Sequence, residues 1–397
     1  MKSKNTSRRA FISAGLILPV VGASSRMGLA DTGMGLFKSP EEPTEKTSSS
    51  PAKLEYRTLG KTGLKVTTLG FGCMITSDPT VIERAVDIGI NYFDTSRGYQ
   101  HGNNERMVGA ALGSKRKSVV LSTKTDTSKK ESMAQELETS LRELKTDYVD
   151  IWYLHGKDKV ADVTDEMIEA QQIAKKQGKI RFAGVSTHAP QLLLPWMAQK
   201  GAFDVALTVY NFSMDASLNQ AIDAAANAGI GVVAMKVMAG GFKSIKPSDP
   251  LFPKLKKDGA MLAALKWTLK NPRVATTIPG MTDQDQLDEN LKAMADRFSN
   301  DDQKVLAAHL EMIKPIYCRM CGQCDGACRQ GLPVAEVMRI LTYADGYRQF
   351  ALGRERFQQL AAEHRAVRCG DCAECTVQCP HGVRVSDRMA RAQELFA

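Results

Sequence analysis

An alternation of short apolar runs with helix-length amphipathic segments constrains the fold of this chain more than any other feature. It starts near Leu54 and repeats about eight times before a cysteine-rich C-terminal region. Continuous apolar runs are typical of strands buried on both faces, as in parallel strands joined by crossover helices. About 260 residues of this alternation predict an α/β fold closed into a (β/α)8 (TIM) barrel. The predicted strands are Thr67–Cys73, Tyr92–Thr95, Val119–Lys124, Tyr148–His155, Phe182–Thr187, Val205–Asn211, Val232–Val237 and Ala275–Pro279.

Helix signals between these runs agree with a barrel. Before the first helix, Asp78 is a suitable N-cap, Pro79 suits the first helical position and Gly89 ends the pattern. A doubly wound open sheet is the competing fold, but no G-x-G-x-x-G follows the first strand, where that fold carries its phosphate-binding turn. The predicted helices include Thr80–Ile88, Glu131–Leu144, Thr164–Lys176 and Ser217–Ala228.

The N-terminus resembles a twin-arginine export signal over residues 1–30. Arg8 and Arg9 precede a short apolar segment, and Gly28-Leu29-Ala30 forms a small-residue cleavage site. An ordinary secretory signal and an amphipathic N-terminal helix are the alternatives. The resemblance implies export of a folded protein to the periplasm or another extracytoplasmic compartment. Residues 31–53 contain several prolines and a serine run, which predict a flexible linker.

Charge and hydropathy argue against nucleic-acid binding and against a membrane-spanning helix. The formal net charge is +9, but five of the basic residues and none of the acidic ones lie in residues 1–30. No Lys/Arg block with interleaved aromatic residues is present, so we expect no nucleic-acid partner. No apolar stretch reaches the length of a membrane-spanning helix, so the sequence predicts a chain that is not transmembrane.

Polar residues follow three neighbouring predicted strands where a barrel places its active site. Asp94 ends the second strand, with Tyr99 five residues later; Lys124 ends the third and His155 the fourth. A single Lys or His at such a position is often structural. Four polar residues from three adjacent strands are hard to explain by packing, so these are the candidate catalytic residues.

These residues resemble the catalytic Asp, Tyr, Lys and His of the aldo/keto reductase family. The resemblance spans about Tyr56 to Lys292 and includes Y-R-T-L-G-K-T-G-L-K-V, N-Y-F-D-T-S-R-G-Y, G-V-S and I-P-G. It implies an oxidoreductase acting on a small carbonyl or alcohol substrate, with Tyr99 as general acid or base. Lys124 would lower the pKa of Tyr99, Asp94 would hold that lysine, and His155 would orient or polarise the carbonyl oxygen.

The resemblance also implies NAD(P)H as the source of hydride, although the nicotinamide contacts depart from the family pattern. Ser186 is kept. Thr187 stands where the family usually has Asn, Leu207 where it has Gln, and Met235 where many members have a stacking tyrosine. We expect Lys236 to contact the pyrophosphate.

At the adenosine end, the resemblance assigns contacts to Glu289 and Asn290, which are kept. Gly280, Met281 and Gln286 replace the usual Lys, Ser and Arg that hold a 2′-phosphate. The sequence therefore does not indicate a preference for NADPH over NADH.

Eight of the nine cysteines form two runs with the spacing of two-cluster bacterial ferredoxins. In such runs three cysteines bind one 4Fe-4S cluster and the fourth binds the other. The spacing therefore predicts two clusters with crossed ligands. The first would take Cys318, Cys321, Cys324 and Cys379, and the second Cys369, Cys372, Cys375 and Cys328. The remaining cysteine, Cys73, reads as a small core residue.

Zinc and disulfides are the alternatives for these cysteines. Zinc sites usually take two C-x-x-C pairs separated by a dozen or more residues, unlike these compact runs. Disulfides are common after export, but twin-arginine export would deliver thiolates that already hold metal. Helical patterns over Val334–Leu341 and Glu355–Ala362 favour a small helical ferredoxin-like domain, 313–397, after a barrel at 54–312. The whole resembles an aldo/keto reductase branch with such a module.

The leading hypothesis is therefore an exported oxidoreductase whose barrel chemistry is coupled to electron transfer with a redox partner protein. One difficulty is that hydride carries two electrons whereas each cluster accepts one. A second hypothesis is that the barrel is a non-catalytic scaffold for a redox partner. A third is that the clusters only stabilise the C-terminus.

Overall fold

The computed structural model describes residues 53–241 and 259–397. The predicted export signal (1–30) and the predicted linker, apart from its last residue, lie outside these described residues.

Eight parallel strands form a nearly closed barrel, as the alternation predicts. Neighbouring strands pair in chain order, and the last strand meets the first through bridges from Leu69 to Thr277 and from Gly72 to Gly280. The fold class is confirmed, and the observed strands lie at all eight predicted positions. They are β3 (Phe71–Gly72), β4 (Tyr92–Asp94), β5 (Val120–Thr125), β6 (Val149–Leu154), β7 (Ile180–Thr187), β8 (Val205–Val209), β9 (Gly231–Met235) and β10 (Val274–Thr277).

A short antiparallel hairpin precedes the barrel and was not predicted. It pairs β1 (Tyr56–Thr58) with β2 (Lys65–Thr67). Leu59 and Val66, in the turn and second strand, are fully buried and pack in one cluster with inward-facing residues such as Ile151. The hairpin therefore contributes to the core inside the barrel.

Helices surround the barrel and bury their apolar faces against the strands. At the first helix, Asp78 accepts a 2.9 Å hydrogen bond from the Thr80 backbone N–H, and Gly89 has a φ of +107°, so both predicted capping residues are confirmed. The barrel helices are α1 (Pro79–Ile88), α2 (Asn103–Leu112), α3 (Lys130–Glu143), α4 (Asp165–Lys176), α5 (Pro190–Lys200), α6 (Ser217–Asn227), α7 (Ala260–Leu269) and α8 (Gln284–Ala295), followed by α9 (Asn300–Ile313).

The region with the cysteines is helical, as predicted. Its helices are α10 (Val334–Asp345), α11 (Phe350–Gln358), α12 (Ala362–Ala366) and α13 (Val385–Phe396). The predicted helix Glu355–Ala362 has the wrong bounds. Arg348 has a φ of +58°, which breaks the helical path, and α11 starts two residues later.

Asp345 ties α10 to α13 by accepting hydrogen bonds from Arg388 (2.6 Å) and Arg391 (2.7 Å). Arg388 is 6% exposed, so this pairing lies largely out of solvent. Loss of one partner of such a buried pair is strongly destabilising. The pairing therefore fixes α10 on α13.

Residues 334–358, which carry α10 and α11, cover the carboxyl end of the barrel strands, and we call them the roof. Gly346 packs so closely against the loop after β9 that a Cβ there would lie 2.1 Å from the Gly240 carbonyl oxygen. Among the described residues, no helix has the length and apolar composition needed to cross a membrane.

Candidate active site

Strands β4 and β5 are neighbours in the barrel, and Asp94 stands opposite Ser122, two residues before Lys124. The two charged side chains therefore meet at the ends of these strands. Lys124 Nζ donates to Asp94 Oδ2 (2.5 Å) and to the Thr95 carbonyl oxygen (2.7 Å). Both side chains are about 2–3% exposed. The carboxylate also accepts from Ser122 Oγ at 2.7 Å. The buried charges are therefore paired and hydrogen-bonded, as their burial requires.

Tyr99 joins this pair from the loop after β4. Lys124 Nζ lies 4.7 Å from the centroid of its ring. Burial, followed by the negative charges of Asp94 and Asp126, raises the pKa of Tyr99 well above its usual value. The expectation that Lys124 opposes this rise and lowers the pKa of Tyr99 stays a prediction. The ammonium is directed at Asp94 and Thr95 and faces the tyrosine ring.

His155 is held by a carboxylate that the sequence reading missed. Its Nδ1 lies 2.5 Å from Asp126 Oδ1, and its ring meets that of Tyr99 edge-on with centroids 5.9 Å apart. Burial lowers the pKa of His155, and Lys124 adds to this, although the bond to Asp126 opposes it. Burial would raise the pKa of Asp126, but the hydrogen bond from His155 and the nearby positive charges outweigh it and lower that pKa. A neutral His155 therefore carries its proton on Nδ1, which leaves Nε2 as an acceptor.

A second His–Asp pair lies at the end of the fifth barrel strand. His188 donates its backbone N–H to Asp158 Oδ1 (2.6 Å), and its Nδ1 lies 3.2 Å from Asp158 Oδ2. Burial lowers the pKa of His188 to about 4, so the ring is neutral near pH 7. Sequence reading missed this pair as well.

The roof and the barrel together line a cavity of about 1070 Å³ that is partly open to solvent. Small-molecule sites are commonly about 300–1,000 Å³, so this one has room for a cofactor together with a substrate. It contains the four predicted catalytic residues. From the roof it is lined by Glu336, Arg339, Tyr343, Tyr347, Glu355 and Arg356 among others.

Lys236 lies beneath the roof. Its Nζ is 5.5 Å from the Tyr343 ring centroid and 5.6 Å from that of Tyr347. Although burial opposes it, the positive charges of Arg339 and Lys236 lower the pKa of Tyr343. Lys236 thus makes cation–π contacts with two tyrosines of the roof. From the sequence we expect only a contact with the pyrophosphate.

The nicotinamide end of the cavity offers few free polar groups. Thr187 Oγ1 donates to Asp158 at 3.4 Å and accepts from the Ala189 N–H at 2.9 Å. Ser186 Oγ accepts from the Gly156 N–H at 2.8 Å and keeps its hydroxyl hydrogen for a ligand. Leu207 is fully buried and apolar. The residues present therefore fit a nicotinamide amide through Ser186 alone.

The adenosine end lies in the same cavity, which Gly280, Gln286, Glu289 and Asn290 all line. Gln286 Nε2 already donates to Thr282 and Asp283. Glu289 and Asn290 retain polar atoms suited to adenosine. The structure thus brings all predicted cofactor contacts except the buried Thr187 to one continuous cavity.

Two of the cysteines, Cys318 and Cys369, show which thiols lie near them. Burial raises the pKa of Cys318 to about 12, and neighbouring thiols of Cys324, Cys321 and Cys379 add to it. Burial likewise raises the pKa of Cys369, with contributions from Cys328, Cys375 and Cys372. These two neighbourhoods are the two predicted ligand sets. All eight thiols are free, and none forms a disulfide.

Within residues 53–241 and 259–397, no three His, Cys, Asp or Glu side chains stand close enough to surround a single metal ion. A 4Fe-4S cluster has its iron and sulfide between its ligands, so the thiolates need not touch one another. The donor set suits such a cluster, which remains a prediction.

Comparison with known proteins identifies the barrel. Residues 77–311 match the model of the aldo/keto reductase family. The chain is 28% identical over 298 residues to the uncharacterised oxidoreductase YqkF of Bacillus subtilis, covering 64% of this chain and 96% of that protein. It is also 28% identical over 306 residues to L-galactose dehydrogenase of Arabidopsis thaliana, covering 66% and 96%.

Among solved structures, the fold is similar to the holo form of aldo-keto reductase AKR11C1 from Bacillus halodurans. The TM-score is 0.56 at 27% identity, over 64% of this chain and 96% of that one. The family match ends at residue 311, so both cysteine runs and the roof lie beyond it.

Proposed function

The chain belongs to the aldo/keto reductase family, and on that premise we propose that its barrel reduces or oxidises a small carbonyl or alcohol substrate with Tyr99 as general acid or base. The observation that carries this proposal is the buried Asp94–Lys124 pair beneath Tyr99 in the cavity between the barrel and the roof. The similarity to L-galactose dehydrogenase supports a carbonyl or alcohol substrate.

In this mechanism Tyr99 exchanges a proton with the substrate oxygen. Asp94 keeps Lys124 charged and in place, and the ammonium over the ring stabilises negative charge as the proton leaves. NAD(P)H, which the family generally uses, supplies the hydride when bound. Ser186, Glu289 and Asn290 are the residues that would hold it.

His155 orients the substrate oxygen in a way that depends on its protonation. With the proton on Nδ1, bonded to Asp126, Nε2 accepts a hydrogen bond from a substrate alcohol. After protonation, Nε2 also carries hydrogen and donates to a carbonyl oxygen. The pairing with Asp126 stabilises that imidazolium form.

We also propose that the cysteine region binds two 4Fe-4S clusters, which exchange single electrons with a redox partner protein. Cys318, Cys321 and Cys324 would share one cluster with Cys379. The other would be held by Cys369, Cys372, Cys375 and Cys328. The motif spacing and the pairing of the thiol neighbourhoods support this assignment.

Export by the twin-arginine route to the periplasm or another extracytoplasmic compartment completes the proposal. It is supported by Arg8 and Arg9 before the apolar segment of residues 1–30. A cluster protein suits this route because it carries proteins that have already folded.

Titration of the anaerobically purified full chain with NADPH and NADH tests the reductase proposal. We expect one nucleotide to bind and to be oxidised in the presence of a carbonyl compound. Tyr99→Phe should bind the nucleotide equally well and turn over about 10²- to 10⁴-fold more slowly. Failure of both nucleotides to bind would overturn the proposal.

Iron and sulfide analysis of the same protein tests the cluster proposal. It should find about eight irons per chain, and zinc without iron would refute the clusters.

One observation favours a second function, in which the barrel is a non-catalytic scaffold for a redox partner. The Thr187 hydroxyl is bonded to Asp158 and Ala189, and Leu207 is apolar, so the nicotinamide end is poor in free polar groups. This function requires that neither nucleotide binds while the clusters still accept electrons. The same titration, followed by dithionite reduction monitored by absorbance, separates the two functions.

A further inference from the structure

Arg356, on roof helix α11, lines the cavity beside the catalytic residues. Its Nη2 lies 3.8 Å from the point where a Cβ on Gly98 would stand, and Gly98 precedes Tyr99 in the chain. The same point is 2.4 Å from Asp126 Oδ2. The guanidinium therefore lies next to both Tyr99 and the His155–Asp126 pair.

The charge of Arg356 reaches these groups. It contributes to the lowered pKa values of Asp126 and His155 and partly opposes the raised pKa of Tyr99. A reacting carbonyl held by Tyr99 and His155 would therefore lie within the field of this guanidinium.

Arg356, unlike Lys124 and Arg339, makes no ion pair with a carboxylate of the described residues. Lys124 pairs with Asp94 and Arg339 with Glu336. Arg356 Nη1 donates to the neutral Gln359 side chain at 3.1 Å. Among the described residues, no carboxylate oxygen lies within 4.0 Å of a guanidinium nitrogen of Arg356. A half-buried guanidinium with free N–H groups directed into a cavity is suited to a ligand anion.

We propose that Arg356 binds a carboxylate of the substrate, close to the reacting carbonyl. This rests on the proposed function, because it places the anion beside the carbonyl that Tyr99 and His155 would hold. The single positive charge of Arg356 matches the single negative charge of a carboxylate better than the double charge of a phosphate. The substrate class is thus an oxo acid or the corresponding hydroxy acid.

Calorimetric binding of phenylglyoxylate and of its methyl ester to the full, anaerobically prepared chain tests the proposal. The acid should bind at least about tenfold more tightly than the ester. Arg356→Ala should weaken binding of the acid about 10- to 100-fold and leave the ester unchanged, whereas Arg356→Lys should retain part of the preference. Arg354→Ala, at an exposed position of the same helix outside the cavity, is the matched control.

Equal affinities for acid and ester, no binding of the acid, or an unchanged affinity in Arg356→Ala would each overturn the proposal. Competition by inorganic phosphate as effective as that by the acid would overturn the assignment to a carboxylate.

The calorimetric measurement requires neither nucleotide nor turnover, so failure of the anion site can be told from failure of the reductase function. If NAD(P)H fails to bind but the preference for the acid persists, the reductase function fails and the anion site stands. If NAD(P)H is oxidised but acid and ester bind equally, the anion site alone fails.

Discussion

Asp126 and His155 are joined by a 2.5 Å contact between Oδ1 and Nδ1, and this contact opposes the effect of burial on the pKa of the histidine. Burial favours the neutral ring, whereas the hydrogen bond and the charge of Asp126 favour the imidazolium. The pKa of His155 lies below its usual value because burial, aided by Lys124 and Arg356, outweighs the effect of Asp126.

Asp126→Asn should therefore lower the pKa of His155 further and shift the pH dependence of carbonyl reduction toward lower pH. At a fixed neutral pH, kcat/KM for reduction should fall, because less imidazolium is present to donate to the carbonyl oxygen. NMR titration of the imidazole protons reports the pKa of His155 directly. The chain has six histidines, so their signals can be resolved and assigned. Asp158→Asn, which removes the partner of His188, is the control and should leave the His155 signal unchanged. An upward shift of the His155 pKa in Asp126→Asn would contradict the role given to Asp126.

Lys124→Met should destabilise the fold as well as abolish turnover, because it leaves the Asp94 carboxylate buried without a cation. Breaking such a pair costs about 3–5 kcal/mol. The double variant Lys124→Met with Asp94→Asn should recover much of that stability without recovering activity. Urea unfolding and steady-state kinetics on the three proteins separate the structural from the catalytic effect. Equal stability of the single variant and the wild type would show that the pair is not a buried ion pair.

Cys379→Ser should remove the same cluster as Cys318→Ser, although the two residues lie in different cysteine runs. Each variant should retain about four irons per chain, and their electron paramagnetic resonance spectra should match. Cys328→Ser should instead remove the cluster held by Cys369, Cys372 and Cys375, and so give the spectrum of the cluster that the first two variants lack. Matching spectra for Cys379→Ser and Cys369→Ser would instead show that each run binds its own cluster.

Gly346→Ala should push the roof away from the barrel. The added Cβ would meet the Gly240 carbonyl oxygen at 2.1 Å, and a backbone atom cannot move aside as a side-chain end can. Overpacking of this kind costs about 1–3 kcal/mol, so we expect a lower Tm and a weaker affinity for cavity ligands. Gly370→Ala is a suitable control because nothing lies within 4 Å of its Cβ position. An unchanged Tm and ligand affinity in Gly346→Ala would show that the roof does not depend on this contact.

The barrel was predictable because its strands are buried on both faces and so leave apolar runs in the sequence. Strand β7 was predicted to start at Phe182, two residues after its observed start, because Arg181 is exposed and burial is continuous only from Ala183. The hairpin of β1 and β2 was missed because three-residue strands are too short to show a period. Leu59 and Val66 of this hairpin are buried, but only the tertiary structure shows that they belong to the core.

The candidate site was predictable only in part. Asp94, Lys124 and His155 stand at strand ends, where barrel topology alone brings them together. Asp126 offered a weak signal, since it follows Lys124 by two residues in the loop at the same strand end. Tyr343 and Arg356 offered none: they lie more than 200 residues from Tyr99 in the chain, and no periodicity reports a contact over such a separation.

The position of the roof in the chain also sets the order in which the cavity is completed during synthesis. The last barrel strand ends at Thr277, whereas the roof begins at Val334 and is held by α13, which starts at Val385. A ribosome therefore makes all eight strands before it makes the roof. Until α13 has been translated, the carboxyl end of the barrel strands lacks both the roof and the Arg388 contact that holds α10.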